Sequence, residues 1–171
     1  TGLNEGGKIK CDRYWPLPRT VESKSINISV TNTGVETYVS YELTTLVVNK
    51  TGEEPRTIKH WWFTVWPDHG TPKDPLSVIS FRNKVRERPK ILGGPTLVHC
   101  SAGVGRTGTY IGLDIAMNII EKELKYPKIK AIVEFMRKYR MILVQNLLQY
   151  VFLNNCIMKI VENMISKEII S

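Results

Sequence analysis

A thiol and a guanidinium separated by a glycine-rich turn are the residues of this sequence best suited to chemistry. Cys100 opens the turn His99-Cys100-Ser101-Ala102-Gly103-Val104-Gly105-Arg106-Thr107-Gly108 and Arg106 closes it. A short apolar, β-favouring run, Thr96-Leu97-Val98, ends at His99, and a helical pattern begins at Thr107. A loop that joins a strand to a helix N-terminus points its backbone N–H groups at one spot, and such a ring of amides is a site for an anion. The same amides favour the thiolate of Cys100 over the thiol. Arg106 adds a planar, two-pronged donor at the rim. A thiolate beneath a bound phosphate is a nucleophile aimed at phosphorus, so the implied chemistry is phosphoryl transfer to sulfur.

Other readings of this stretch compete. Gly103, Gly105 and Gly108 also spell G-x-G-x-x-G, but a dinucleotide site wants a second strand ending in an acid about 20 residues on. Glu121 and Glu123 fall instead within the same helical pattern. The Lys-Ser/Thr ending of a nucleoside triphosphate loop is absent. An isolated cysteine is by default a buried apolar thiol, a default that the arginine and the glycines around Cys100 argue against.

His99 through Gly108 resembles, residue for residue, the signature loop of the cysteine-dependent protein tyrosine phosphatases. Three further stretches resemble the tyrosine-specific branch of that family: Lys10-Cys11-Asp12-Arg13-Tyr14-Trp15-Pro16, Trp66-Pro67-Asp68, and Val144-Gln145-Asn146-Leu147-Leu148-Gln149-Tyr150. The resemblance implies an α/β fold, a twisted mixed sheet flanked by helices, with the active site on a strand, loop and helix. It implies roles as well. Cys100 is the nucleophile, and Ser101, Ala102, Gly103, Val104, Gly105 and Arg106 bind the phosphate. Asp68, on a mobile loop led by Trp66, is the general acid. A leaving phenol with a pKa of about 10 needs one. Gln145 places the water that attacks the phosphoenzyme, Thr107 donates its hydroxyl to the departing sulfur, and His99 orients the loop from behind. Glu5 stands where a glutamate pairs with the signature arginine, and Lys10 matches the lysine that faces the acid loop. Asn146 departs from the threonine usual after the glutamine, and Leu148 from a frequent acid.

The resemblance covers nearly the whole chain but only the later part of the family's domain. The stretch whose tyrosine stacks on the phosphotyrosine ring is not in this sequence, and the first residue is Thr1, so the chain is read as a processed product or a piece of something longer. Its partners are expected to be tyrosine-phosphorylated proteins, and no cofactor is implied. A non-catalytic phosphotyrosine-binding copy and a compact dual-specificity phosphatase are the alternatives. The three further stretches weigh against the second.

Composition narrows the classes. The 171 residues, 42% of them hydrophobic, suffice for one domain spanning 1–171. No apolar run reaches the ~18 residues of a membrane span, and the first residues lack the layout of a signal peptide. Cys11, Cys100 and Cys156 suggest neither a disulfide framework nor a zinc site, which fits a reducing, cytoplasmic compartment. The sequons at Asn27 and Asn49 are then expected to be incidental. The three histidines, His60, His69 and His99, have no metal-ligand spacing. A net charge of +8 would suit nucleic acid or an acidic substrate, but the basic residues are scattered and not interleaved with aromatics, so they are read as steering anionic phosphoprotein segments.

The supporting elements follow from periodicity. Strands are expected over Ile26–Val30, Tyr38–Val48 and Arg56–Val65, with a turn at Asn49-Lys50-Thr51-Gly52. Asp74-Pro75 should cap a helix with Leu76, Ile79 and Val85 inward. Gly93-Gly94-Pro95 should turn into the central strand. Ile111, Ile115, Ala116, Ile119, Ile120 and Leu124 should face the core from the helix after the loop. Ile129, Ile132, Val133 and Met136 mark another helix, and Val151, Met158, Val161 and Ile165 a last one.

Overall fold

The computed structural model describes residues 1–17, 19–23, 25–67, 70–87 and 94–170, of which 167–170 as backbone only. They cluster into two compact units, residues 1–65 with 87–95 and residues 66–86 with 96–171. The fold class is α/β: the described strands fall in the first unit and the helices in the second.

In the first unit, β1 (Asn4–Glu5) and β2 (Lys8–Ile9) form a small hairpin. β3 (Thr20–Ser23), β4 (Ile28–Thr37), β5 (Tyr41–Lys50) and β6 (Arg56–Phe63) form an antiparallel sheet in that order. The Val, Ile, Thr and Tyr content of β4 and β5 suits a pleated, half-buried surface, and Tyr41, Leu43 and Leu46 are the buried apolar residues of β5. A bulge between Asn32 and Gly34 interrupts the β4–β5 register. The buried Asn32 side chain accounts for it, accepting from Gly34 N at 3.0 Å and donating to Pro16 O at 2.9 Å. Trp15 of the Lys10–Pro16 segment packs on His60 and Trp62 of β6, with ring centroids 4.5 and 5.4 Å away. The expected turn after β5 forms around Gly52, whose φ of 84° needs a residue without Cβ.

In the second unit, α1 (Pro75–Arg86), α2 (Gly105–Glu123), α3 (Ile129–Arg137) and α4 (Leu147–Ile170) pack with α2 against the other three. Asp74 caps α1 as expected, accepting from Leu76 N at 2.9 Å. The four apolar residues marked on α3 are all buried.

Several expectations are corrected. Thr96–Val98 belongs to no ladder and to no other regular element, and every described strand pair is antiparallel. A strand exists only where a neighbour accepts its hydrogen bonds. Among the described residues no strand forms a ladder with these three, and Leu97 is 89% exposed. Short β3 was missed because all four of its residues are exposed and carry no inward pattern. On α2 the buried apolar side chains are Leu113, Ala116, Met117 and Ile120, while Ile111, Ile115 and Ile119 are half-buried and Leu124 is exposed past the helix end. On α4, Phe152, Leu153, Cys156 and Ile157 face inward, leaving Val151, Met158 and Ile165 exposed and Val161 half-buried. Both helices are apolar on more than one side, so period alone does not choose the face. Gly112 does: a Cβ there would lie 2.9 Å from Leu153 Cδ2 and 3.2 Å from Met136 Cε, so α3 and α4 approach α2 on that side.

On α1, Leu76 is exposed and Arg82 is buried instead, at 2% exposure. Its guanidinium binds Asp114 at 2.8 Å and Glu121 at 2.5 Å, and Arg86 also pairs with Asp114. Burial pushes the Asp114 carboxyl up, but hydrogen bonds from Arg86 and Arg82 outweigh it and hold it below the usual range. We therefore expect Arg82→Ala to cost about 2 kcal/mol in urea unfolding, below the roughly 3–5 kcal/mol of a fully buried pair because Glu121 is half exposed. A carboxylate with a depressed folded pKa stabilises above its unfolded pKa of about 3.9 and loses that contribution as pH falls toward the folded value. The stability gap between the parent chain and Asp114→Asn should thus be full at pH 6 and narrow below about pH 4.

Candidate active site

The site begins with a helix end that nothing caps. α2 starts at Gly105 after Val104 (φ −128°, ψ −48°), whose own side chain makes no capping hydrogen bond, so the first amides are left to another acceptor. Cys100, 9% exposed, lies in the turn that leads into these amides, and its Sγ accepts from Gly103 N at 3.3 Å. Gly103 has φ 71°, a left-handed conformation that glycine adopts without strain. Burial alone would raise the Cys100 pKa. The Thr107 hydroxyl and the backbone N–H groups of Thr107, Gly103 and Val104 outweigh it and hold the thiol below its ordinary value. Thr107 Oγ1 is buried without a hydrogen bond of ordinary geometry, which leaves its hydroxyl to the sulfur. Cys156 shows the contrast. It is fully buried in α4, and burial first and Asp74 second push its thiol up to about 12.

The rest of the loop is held from several sides. His99 donates Nδ1–H to Cys100 O at 3.0 Å, which fixes the tautomer because a carbonyl only accepts. Arg140 donates to Ala102 O at 3.1 Å. Ser101 and Ala102 form the exposed rim, and Arg106 is half-buried. Arg106 Nη2 donates to Pro67 O at 3.0 Å, joining the anion loop to the Trp66-Pro67 stretch. Trp66 packs edge-on against Phe152, with centroids 5.8 Å apart, and its indole N–H bonds Gly70 O at 3.2 Å, across the stretch between. Asp68 lies outside the described residues.

The loop of Gln145 docks on the anion loop. Val144 N donates to Val104 O at 3.1 Å. A Cβ on Gly108 would stand 2.4 Å from Val144 N, so this approach of two backbones requires glycine. A Cβ on Gly105 would lie 3.0 Å from Gln145 Oε1 and 2.8 Å from Gln149 Nε2, so both carboxamides lie against the first residue of α2. Gln149 is 6% exposed and accepts from Gln145 N at 2.9 Å. Sequence reasoning left Gln149, Arg137 and Arg140 out of the site. The Gln145–Gln149 spacing of one helical turn was the available signal for the first; for the arginines there was none, because they bind backbone carbonyls that any residue supplies.

Glu5 and Lys10 belong to the other unit. Glu5 Oε1 accepts from Gly2 N at 2.7 Å and from Thr1 Oγ1 at 3.4 Å, and Lys10 N donates to Leu3 O at 2.8 Å.

A buried cysteine biased to thiolate, in a loop of amides closed by arginine at a helix N-terminus, is an arrangement suited to holding an anion beside a nucleophile. The family model for protein-tyrosine phosphatase matches residues 1–159. The chain is 36% identical over 176 residues to mouse tyrosine-protein phosphatase non-receptor type 9, covering 95% of this chain and 30% of that protein. It is 37% identical over 164 residues to rat tyrosine-protein phosphatase non-receptor type 20, covering 95% and 38%. Mouse receptor-type tyrosine-protein phosphatase F is 36% identical over 160 residues, covering 93% of this chain and 8% of that protein. The chain therefore belongs to the protein-tyrosine phosphatase family, and it spans well under half the length of these relatives.

The geometry predicts selective alkylation. Iodoacetamide should modify Cys100 with a pH midpoint below the ordinary cysteine value of about 8.5, and Thr107→Val should move that midpoint up. Cys156 should react only on unfolding. Peptide mapping of the alkylated chain across pH 5 to pH 9 at intervals of about 0.5 would check both.

Proposed function

We propose that the chain is the catalytic portion of a protein tyrosine phosphatase, which hydrolyses phosphotyrosine in proteins through a cysteinyl-phosphate intermediate. The observation that carries this reading is the Cys100 sulfur, biased to thiolate by the amides of Gly103, Val104 and Thr107. Cys100 Sγ attacks phosphorus while Arg106 and the amides of Ser101 to Arg106 hold the equatorial oxygens, where charge is greatest in the transition state. The bond from phosphorus to the phenolic oxygen breaks, and Asp68 gives that oxygen its proton. Water placed by Gln145 then attacks the phosphocysteine and loses its proton to Asp68. The S–P bond breaks, its electron pair returns to Cys100, and the Thr107 hydroxyl stabilises the sulfur. His99 fixes the loop through the Cys100 carbonyl. No metal or cofactor takes part.

Substrates are tyrosine-phosphorylated proteins, so the activity belongs to signal transduction, and the easily oxidised thiolate suits the reducing cytoplasm. No helix among the described residues is long and apolar enough to cross a membrane.

Turnover of a phosphotyrosine peptide by the purified chain should vanish in Cys100→Ser and fall about 10²- to 10⁴-fold in Asp68→Asn, the range for loss of a general acid. The rate should be bell-shaped in pH with an acidic optimum, because Cys100 must be ionised while Asp68 is protonated. Asp68→Asn should remove the alkaline limb. Peroxide should inactivate the chain and dithiothreitol restore it. Comparable rates on phosphoserine peptides would instead indicate dual specificity, and anion binding by a folded chain without turnover would indicate a binding protein.

A further inference from the structure

Two β-branched residues in the loop that joins α3 to α4 have left-handed backbones: Ile142 at φ 63° and Val144 at φ 61°. Such residues crowd their own Cβ against the backbone there, and the conformation persists only where the surroundings enforce it. The enforcing group is Arg137, in the last turn of α3. Its Nε donates to Leu143 O at 2.9 Å and its Nη2 to Val144 O at 2.8 Å. Leu143 and Val144 are 6% and 1% exposed, so without the guanidinium fork their carbonyls would have no water to replace it. On the other side Val144 N is tied to Val104 O of the anion loop. The chain is thus clamped at both polar groups of the residue directly before Gln145.

We propose that Arg137 is a positioning residue for the water-attack step: it holds the strained loop so that the Gln145 carboxamide stays against Gly105. This rests on the phosphatase reading above. Its consequence is specific to one half of the reaction. Transfer of phosphorus to Cys100 does not use Gln145, whereas hydrolysis does. In that step the water oxygen bonds to phosphorus, the S–P bond breaks toward sulfur, and the proton goes to the Asp68 carboxylate. Loosening the clamp should slow only the second step.

The test is rapid mixing of p-nitrophenyl phosphate with the parent chain, Arg137→Lys, Arg137→Ala and Arg137→Ala/Ile142→Gly. In Arg137→Ala, kcat should fall about 10- to 100-fold, KM should fall in parallel, and kcat/KM should hold. A burst of one nitrophenol per site should appear, with acid quenching trapping phosphate on Cys100. Arg137→Lys, which keeps one donor, should lie between. Ile142→Gly should restore much of the kcat in the double variant, because glycine takes this backbone without strain. In Gln145→Ala, adding Arg137→Ala should cost little more. Parallel loss of kcat and kcat/KM without a burst, or no rescue by Ile142→Gly in a folded double variant, would overturn the proposal. Amide exchange across residues 141–146 reads the clamp without catalysis: it should speed up in Arg137→Ala and slow again with Ile142→Gly, and unchanged exchange would likewise overturn it. An inactive parent chain would defeat the phosphatase reading alone, since the exchange arm still decides whether Arg137 holds the loop.

Discussion

The uncapped N-terminus of α2 is the constraint on which the site depends. A helix end leaves its first amides without intrahelical acceptors, and burial makes each unmet donor costly. Most helices answer with a Ser, Thr, Asp or Asn side chain. Here the cap residue Val104 supplies no such bond, and negative charge at the Cys100 sulfur is the answer that the loop offers. The sulfur's low pKa and the amides' need for an acceptor are one interaction seen from its two ends. Burial works against it, and several donors together outweigh that burial at Cys100.

Around that centre the second unit supplies rigidity by backbone proximity more than by side-chain bulk. Gly105, Gly108 and Gly112 lie along the start of α2 and admit in turn two carboxamides, a neighbouring backbone and the Leu153 side chain. A helix with larger residues at these points would stand farther from α4 and from the Gln145 loop. Arg82 and Arg86 fasten α1 to α2 through Asp114.

What could be read from the sequence was whatever is encoded within a few residues. The anion loop carried its own signature, because Cys100, three glycines and Arg106 act within one turn. The α3 face was legible because Ile129, Ile132, Val133 and Met136 fall together on one side, and the cap of α1 because Asp74 and Pro75 are neighbours. What could not be read depends on distant partners. The inward faces of α2 and α4 follow from glycine contacts between helices. A buried Arg82 contradicts its residue type until Asp114 and Glu121 are seen beside it. Thr96–Val98 has strand-forming residues but joins no ladder among the described residues, and Arg137 and Arg140 bind carbonyls, which leave no mark on the residue types that bear them.

The Trp66 indole is held at two points, its ring against Phe152 and its N–H by Gly70 O. A planar side chain fixed both through its ring and through its N–H has little rotamer freedom left to lose. Trp66 can therefore turn only if both contacts let go together.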